Sequence, residues 1–107
     1  MSDARVQVPE RVRRGESFEV KILIRHPMEP GFRLTDDGKK LARNVIRELR
    51  CTYGGQEVFR VEPSSGIAAN PLFSFLVIAR ESGELIFEWD DDSGTRETGR
   101  AAITVIA

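Results

Sequence analysis

Short stretches of alternating apolar and polar residues run along most of this chain, and this pattern leaves few folds open other than a β-sheet protein. The clearest stretch is residues 16–25, where Phe18, Val20, Ile22 and Ile24 alternate with mostly polar neighbours. Successive side chains of a strand point to opposite faces, so these four share one face. The stretch is therefore predicted to be a strand with one face in the core.

Further predicted strands follow at regular intervals, over residues 6–8, 45–53, 58–61, 72–79, 84–90 and 96–106. Turn-forming residues separate the stretches, for example Gly54-Gly55 and Ser93-Gly94. About seven short strands with turns between them are typical of an antiparallel β-sandwich, which we predict here. Only residues 39–44 could form a single helical turn.

Length and charge limit the function classes. The 107 residues fit a single domain, which we expect to span residues 1–107. The 16 basic and 17 acidic residues give a net charge of −1, and such a balance offers no electrostatic footprint for nucleic acid or an anionic membrane. Cys51 is the only cysteine, which excludes an intrachain disulfide and a cysteine-based metal cage.

One predicted strand, residues 72–79, is apolar on both faces. Phe73, Phe75, Val77 and Ala79 lie on one face; the other carries Leu72, Leu76 and Ile78, and we expect Ile86 and Ile106 to extend it on neighbouring strands. A two-layer sandwich buries only one face of each sheet. The second face must therefore be covered by the chain's own long loop or by another protein.

The connection between the second and third predicted strands is unusually long. It begins at His26 and exceeds the ~12–15 residues beyond which ordered loops are usually functional. It contains the only histidine, two prolines, and the pair Met28 and Phe32, which look exposed. We therefore interpret this loop as a recognition element.

Catalytic and metal-binding residues are sparse, and we predict no catalytic residue, no cofactor and no metal. A single histidine excludes a centre with several histidine ligands, including a superoxide-reductase-like one. No nucleophile-elbow motif accompanies His26, so a loop imidazole bonded to backbone or partner is favoured over a catalytic one. Residues 90–94 (Asp-Asp-Asp-Ser-Gly) lack the EF-hand spacing, which favours a hairpin tip over a calcium loop.

Cys51 has two interpretations. A reactive thiol needs partial exposure and an electropositive setting. Cys51 instead alternates with Leu49 and Tyr53 on the inward face of a predicted strand. This placement favours a small core residue over a nucleophile or sulfur carrier.

Long motifs run through nearly the whole chain. They are residues 24–33 (Ile-Arg-His-Pro-Met-Glu-Pro-Gly-Phe-Arg), 38–39, 43–46 and 51, then 70–75 (Asn-Pro-Leu-Phe-Ser-Phe) and 83–94 (Gly-Glu-Leu-Ile-Phe-Glu-Trp-Asp-Asp-Asp-Ser-Gly). In this order and at this spacing, the motifs resemble those of the SoxZ family, the non-carrier subunits of the SoxYZ complex of bacterial thiosulfate oxidation.

The resemblance implies an immunoglobulin-like sandwich that works without catalysis beside a SoxY subunit. In the family, SoxY carries the sulfur intermediate on the cysteine of a flexible Gly-Gly-Cys-Gly-Gly arm, and other thiosulfate-oxidation enzymes dock transiently. Residues 102–107 of this chain contain neither cysteine nor glycine, so we expect it not to be the carrier. Residues 1–8 lack the apolar core of a secretory signal, and the resemblance implies periplasmic co-export with a signal-bearing partner.

These inferences give two hypothetical contact sets. The partner interface would comprise Leu72, Leu76, Ile78, Ile86 and Ile106. The recognition loop would comprise His26, Met28, Glu29, Phe32, Arg33 and Arg43, with the two arginines attracting the anionic group on the SoxY arm. Two other classes stay open: a generic interaction module without sulfur chemistry, and an independent hydrolase using His26.

Overall fold

The predicted antiparallel β-sandwich is confirmed by a computed structural model that describes residues 4–64 and 66–107. These residues form eight strands: β1 (Ala4–Gln7), β2 (Arg11–Arg13), β3 (Ser17–Ile24), β4 (Ile46–Tyr53), β5 (Gln56–Val61), β6 (Leu72–Ile78), β7 (Gly83–Asp91) and β8 (Arg96–Ile106). No helix long and apolar enough to cross a membrane occurs among the described residues.

The strands form a three-stranded sheet in the order β1-β3-β6 and a five-stranded sheet in the order β2-β8-β7-β4-β5. Neighbouring strands are antiparallel except β2 and β8, which run parallel from Arg11 opposite Thr104 to Arg13 opposite Ile106. The sequence did not predict β2, because three residues are too few to establish an alternation. The count is therefore eight strands, where about seven were predicted.

The core lies between the inner faces of the two sheets, as the alternation predicts. Phe18, Val20, Ile22 and Ile24 of β3 are buried there. From the opposite sheet, buried side chains of β4 and β7 complete the core: Leu49, Cys51, Tyr53, Leu85, Phe87 and Trp89. The prediction that Cys51 points into the core is confirmed.

The long connection between β3 and β4 is a two-stranded hairpin, which we call the arm hairpin (residues 29–44). Antiparallel bridges join Glu29 to Asn44 and Leu34 to Lys40. The single helical turn that residues 39–44 could have formed is absent, because this segment pairs with residues 29–34. Backbone N–H and C=O groups in this segment form hydrogen bonds across the hairpin, in place of the local hydrogen bonds that a helical turn would form.

The molecule is elongated. The Cα trace measures 61 × 20 × 19 Å, whereas β8, the longest strand with 11 residues, spans only about 37 Å. The connection that contains the arm hairpin is the longest between the described strands. It leaves the sandwich where β3 ends and β4 begins.

Candidate partner-recognition surfaces

The outer face of β6 is an uncovered apolar surface. Leu72, Leu76 and Ile78 are 59%, 68% and 56% exposed, while Phe73 and Val77 on the other face are buried. The prediction that this strand is apolar on both faces is confirmed, and the chain's own long loop does not cover the second face. We call Leu72, Leu76 and Ile78, together with Leu23, the β6 outer face.

Leu23 was not among the residues proposed from the sequence. It lies on β3 opposite Leu72 and is 40% exposed, so it widens the apolar surface by one strand. The sequence did contain a signal for Leu23, because a leucine on the otherwise polar face of β3 breaks the alternation of apolar and polar residues. The expected extension through Ile86 and Ile106 is wrong, since β7 and β8 belong to the other sheet.

Polar groups next to this face neutralise one another. The ammonium group of Lys21 lies 3.6 Å from the carboxylate of Glu19, and the hydroxyl of Ser74 donates a hydrogen bond to the same carboxylate at 3.0 Å. The apolar surface is therefore bordered by a balanced charge pair. An uncharged partner surface fits such a face best.

Backbone hydrogen bonds fix the arm hairpin at both ends. At its base, the Glu29 amide donates to the Asn44 carbonyl at 2.7 Å, and the Asn44 amide donates to the Glu29 carbonyl at 2.8 Å. Near its tip, the Thr35 amide donates to the Lys39 carbonyl at 2.7 Å. The hairpin is thus a paired ribbon that can present side chains in fixed positions.

Two apolar side chains are exposed on this ribbon. Phe32 is 75% exposed and Leu34 is 65% exposed, and Leu34 was not among the predicted recognition residues. The prediction that Met28 offers an exposed contact is wrong, because Met28 is buried and its Sδ accepts a hydrogen bond from the Ile46 amide at 3.4 Å. Met28 anchors the hairpin to the core, and Phe32 and Leu34 provide the apolar contact surface.

The two arginines proposed to attract an anion already have carboxylate partners. The guanidinium of Arg33 donates to both carboxylate oxygens of Glu29, at 2.8–3.1 Å, and this hydrogen bonding lowers the pKa of Glu29. Arg43 lies 3.3 Å from the carboxylate of Asp92. An anion on a partner would have to compete with these carboxylates, so their role in anion recognition stays a prediction.

Gly31 provides a test of the hairpin's geometry. Its φ is +92°, and a Cβ placed there would come within 2.8 Å of the Arg43 Cβ across the hairpin. Gly38 also has a positive φ, +83°, but its Cβ would meet open space. We expect Gly31→Ala to shift amide NMR signals along residues 29–44 and Gly38→Ala to shift only those near its own turn. Similar local shifts in both variants would contradict this packing.

His26 lies at the base of the hairpin and is part of a buried polar cluster. Its Nδ1 accepts a hydrogen bond from the Met28 amide at 2.9 Å, so Nε2 carries the proton and donates to Asp91 Oδ2 at 3.0 Å. The backbone of His26 also pairs with Asn70, whose amide donates to the His26 carbonyl at 2.8 Å. The cluster therefore ties the hairpin to the β7–β8 turn and to the start of β6.

This geometry leaves His26 without a free ring nitrogen. A Ser-His-Asp mechanism needs one nitrogen on the aspartate and the other on the nucleophile. Here the second nitrogen holds a backbone amide, and the nearby hydroxyl of Ser93 donates to Asp91 Oδ1 at 2.6 Å and does not reach the imidazole. The cluster is built to hold backbone segments together, and it does not support general-base catalysis.

The acidic stretch at residues 90–94 forms the β7–β8 turn. Asp91 is buried, and its Oδ1 accepts hydrogen bonds from the amides of Ser93 and Thr95 at 3.0 and 3.1 Å. Gly94 has a φ of +86°, as the hairpin-tip interpretation predicts. Across residues 4–64 and 66–107, no three His, Cys, Asp or Glu side chains are grouped so that they could hold a metal ion.

The Cys51 thiol lies in the core of the folded chain. It is fully buried, and desolvation raises its pKa to about 12. Because the thiolate is the nucleophile, we expect no modification of the native protein by a thiol reagent at pH 8 and rapid modification in urea. Stoichiometric labelling of the native chain would contradict this expectation.

Comparison with known proteins decides the family. The model of the family described as "Sulphur oxidation protein SoxZ" matches residues 6–102, which is nearly the whole chain. The chain belongs to the SoxZ family. The resemblance noted in the sequence is thereby confirmed, and this SoxZ-family protein has a role in a sulfur-oxidation SoxYZ system. No curated protein sequence matches the chain.

Solved structures share the fold of this SoxZ-family protein. A superoxide reductase (neelaredoxin) from Ignicoccus hospitalis matches with a TM-score of 0.70 at 22% identity, covering 96% of this chain and 80% of that one. A putative superoxide reductase from Thermotoga maritima matches with a TM-score of 0.69 at 18% identity, covering 97% and 86%. The sulfur carrier protein SoxY from Chlorobium limicola f. thiosulfatophilum matches with a TM-score of 0.65 at 10% identity, covering 97% and 79%.

At these identities the likeness concerns the fold alone. The SoxZ-family chain has a single histidine, whose two nitrogens are engaged by Asp91 and Met28. A centre with several histidine ligands therefore does not fit this chain. The likeness to SoxY shows that the immunoglobulin-like sandwich occurs in a carrier protein as well.

Proposed function

We propose that this protein is the non-catalytic subunit of a SoxYZ-type carrier complex in thiosulfate oxidation. It pairs with a SoxY-type subunit and supports the subunit whose cysteine arm carries the sulfur intermediate. The β6 outer face is the observation that carries the proposal, because it is apolar, uncovered and free of charge. Membership of the SoxZ family supports the choice of partner.

The β6 outer face has the properties of an interface centre. Stable interfaces bury about 800 Å² on each partner and have an apolar core with a polar rim. Leu72, Leu76 and Ile78 provide such a core, and the Glu19–Lys21 pair lies at its edge. Burial of these side chains against a partner would remove apolar surface from water.

The arm hairpin is proposed to contact the partner's cysteine arm or the enzymes that dock to it. Phe32 and Leu34 are exposed on a ribbon that is anchored at its base by Met28 and His26. Large exposed side chains on a fixed scaffold give contact area at a low cost in conformational entropy. The proposal includes transient docking of this chain to other thiosulfate-oxidation enzymes. It also includes a periplasmic location, which cell fractionation tests.

A non-catalytic role agrees with the two residues that could have carried chemistry. The Cys51 thiol is buried with a raised pKa, and the His26 imidazole has both nitrogens engaged. The sulfur chemistry is therefore proposed to occur on the partner. This chain would contribute binding and positioning.

Thiosulfate oxidation reconstituted from purified subunits tests the function. We expect turnover to require this chain and to continue when Cys51→Ala replaces it, after confirming that the variant folds. Equal turnover without the chain would favour a generic interaction module with no part in sulfur chemistry. Loss of turnover in folded Cys51→Ala would show that Cys51 of this subunit takes part in the sulfur chemistry.

A further inference from the structure

β6 is the end strand of its sheet. Within the described residues it has β3 on one side and no strand on the other. A strand in this position has unpaired backbone N–H and C=O groups along its open side. These groups can pair with a strand from another chain.

The alternation of hydrogen-bonded positions along the β3–β6 pair shows which β6 residues direct their backbone groups to the open side. The Ile24 amide donates to the Pro71 carbonyl at 3.0 Å, and the Ala79 amide donates to the Glu16 carbonyl at 2.9 Å, at the two ends of the β3–β6 pairing. Hydrogen-bonded positions alternate along an antiparallel pair. The odd-numbered residues of β6 therefore bond to β3. The even-numbered residues direct their backbone groups to the open side: Leu72, Ser74, Leu76 and Ile78.

These four residues are also the ones whose side chains point outward. A strand added along β6 would bond to their backbone groups and lie beside the side chains of Leu72, Leu76 and Ile78. One partner strand would thus satisfy the open backbone and cover part of the β6 outer face. Strand addition of this kind combines main-chain affinity with side-chain specificity.

The other end strands carry charges that discourage such pairing, whereas β6 carries none. β1 has Arg5, and β2 has Arg11 and Arg13. In β5, the guanidinium of Arg60 lies 2.9 Å from the carboxylate of Glu57. β6 reads Leu-Phe-Ser-Phe-Leu-Val-Ile, without charge or proline. Native edges are normally protected by such residues, so an unprotected edge of seven residues indicates a strand that is paired in the working protein.

A stacked aromatic pair lies at the same side of the sandwich. The rings of Phe59 on β5 and Phe75 on β6 stack with centroids 4.1 Å apart and planes 2° apart. Both side chains are only partly buried, although they join the end strands of the two sheets. An added strand would lie next to this pair and exclude water from it.

We infer that the open edge of β6 accepts a strand from the SoxY-type subunit, so that the three-stranded sheet continues into the partner. The inference rests on the proposed function and adds how the two chains join. The SoxY structure shares the sandwich fold of this chain, so a partner of that type is itself built from β-strands. An uncharged edge next to a neutral Glu19–Lys21 pair suits an apolar partner strand.

Ser74 provides a matched pair of variants. Its amide faces the open side, so Ser74→Pro removes one edge donor and places a ring there, while proline is tolerated on the free side of an edge strand. Ser74→Ala loses the same bond to Glu19 and keeps the amide. We expect Ser74→Ala to bind the SoxY-type subunit within about threefold of the wild-type chain and Ser74→Pro to bind at least about tenfold more weakly. Equal binding by the two folded variants would overturn the inference.

Hydrogen exchange of the wild-type chain gives a second test that needs no variant. In the free chain, the amides of Phe73, Phe75 and Val77 should be protected while those of Ser74 and Leu76 exchange quickly. Adding the SoxY-type subunit should protect Ser74 and Leu76. A complex that leaves these two amides unprotected would overturn strand addition but not the proposed function. Absence of any complex would overturn both, and a homodimer that persists with the partner present would overturn the choice of occupant.

Discussion

Leu76→Asp is expected to separate this chain from its SoxY-type partner while the chain stays folded. Leu76 is 68% exposed in the free chain, so an aspartate there remains in water until the partner binds. In the complex, the carboxylate would be buried without a counter-charge, which costs several kcal/mol. A loss of about 3 kcal/mol corresponds to more than a hundredfold weaker binding. Gel filtration of the mixed subunits measures the outcome.

Thr104→Asp is the matched control for this experiment. Thr104 is an exposed strand residue of the other sheet, and it lies opposite Arg11. The variant adds the same charge away from the β6 outer face, so we expect it to co-elute with the partner as the wild-type chain does. Because Leu76 lies opposite Glu19, thermal unfolding of both variants must first show that each is folded. Co-elution of folded Leu76→Asp with the partner would show that the interface lies elsewhere.

Asp91→Ala is expected to destabilise the fold by about 3 kcal/mol. The buried carboxylate accepts hydrogen bonds from the amides of Ser93 and Thr95, from the Ser93 hydroxyl and from His26. Its removal leaves the His26 Nε2–H group buried without an acceptor, and removes one of the links between the β7–β8 turn and the base of the arm hairpin. Urea unfolding measures the effect. Asp90→Ala, on the opposite face of β7, is the control and should change stability by less than about 1 kcal/mol.

The same carboxylate gives a pH signature. Burial raises the pKa of Asp91, but the hydrogen bonds from Ser93 and His26 outweigh burial and lower it below the ordinary value of 3.8. A lowered folded-state pKa means that the stabilisation is complete above pH 3.8 and is lost as the pH falls through the folded-state pKa. The stability difference between wild type and Asp91→Ala should therefore shrink in acid. A difference that stays constant from about pH 7 to about pH 2.5 would contradict this account.

The sandwich was predictable because period-two alternation depends only on local sequence. Residues 16–25 and the buried position of Cys51 followed directly from that alternation. The second apolar face of β6 was predictable for a related reason, since a two-layer fold buries only one face of each sheet. The sequence left open whether the chain's own long loop covers that face. The arrangement of the sheets was harder, and Ile86 and Ile106 were assigned to the wrong face because strand order is a long-range property.

The candidate recognition loop shows the same limit. Its length predicted a functional element, but its paired ribbon depends on the contact of Glu29 with Asn44, which no local pattern indicates. Met28 appeared exposed because the loop is polar overall, yet its side chain fills the core beside Ile46. The imidazole of His26 bonds to the carboxylate of Asp91, which is 65 positions away in the sequence. The run of acidic residues around Asp91 gave no indication of this hydrogen bond.

Co-purification of the chain from cells that are oxidising thiosulfate, followed by intact mass, tests the central claim most directly. We expect a heteromer with a SoxY-type subunit, mass additions of sulfur species on that partner's cysteine arm, and no modification of this chain, including Cys51. A chain that purifies without such a partner, or that itself carries the sulfur additions on Cys51, would contradict the account.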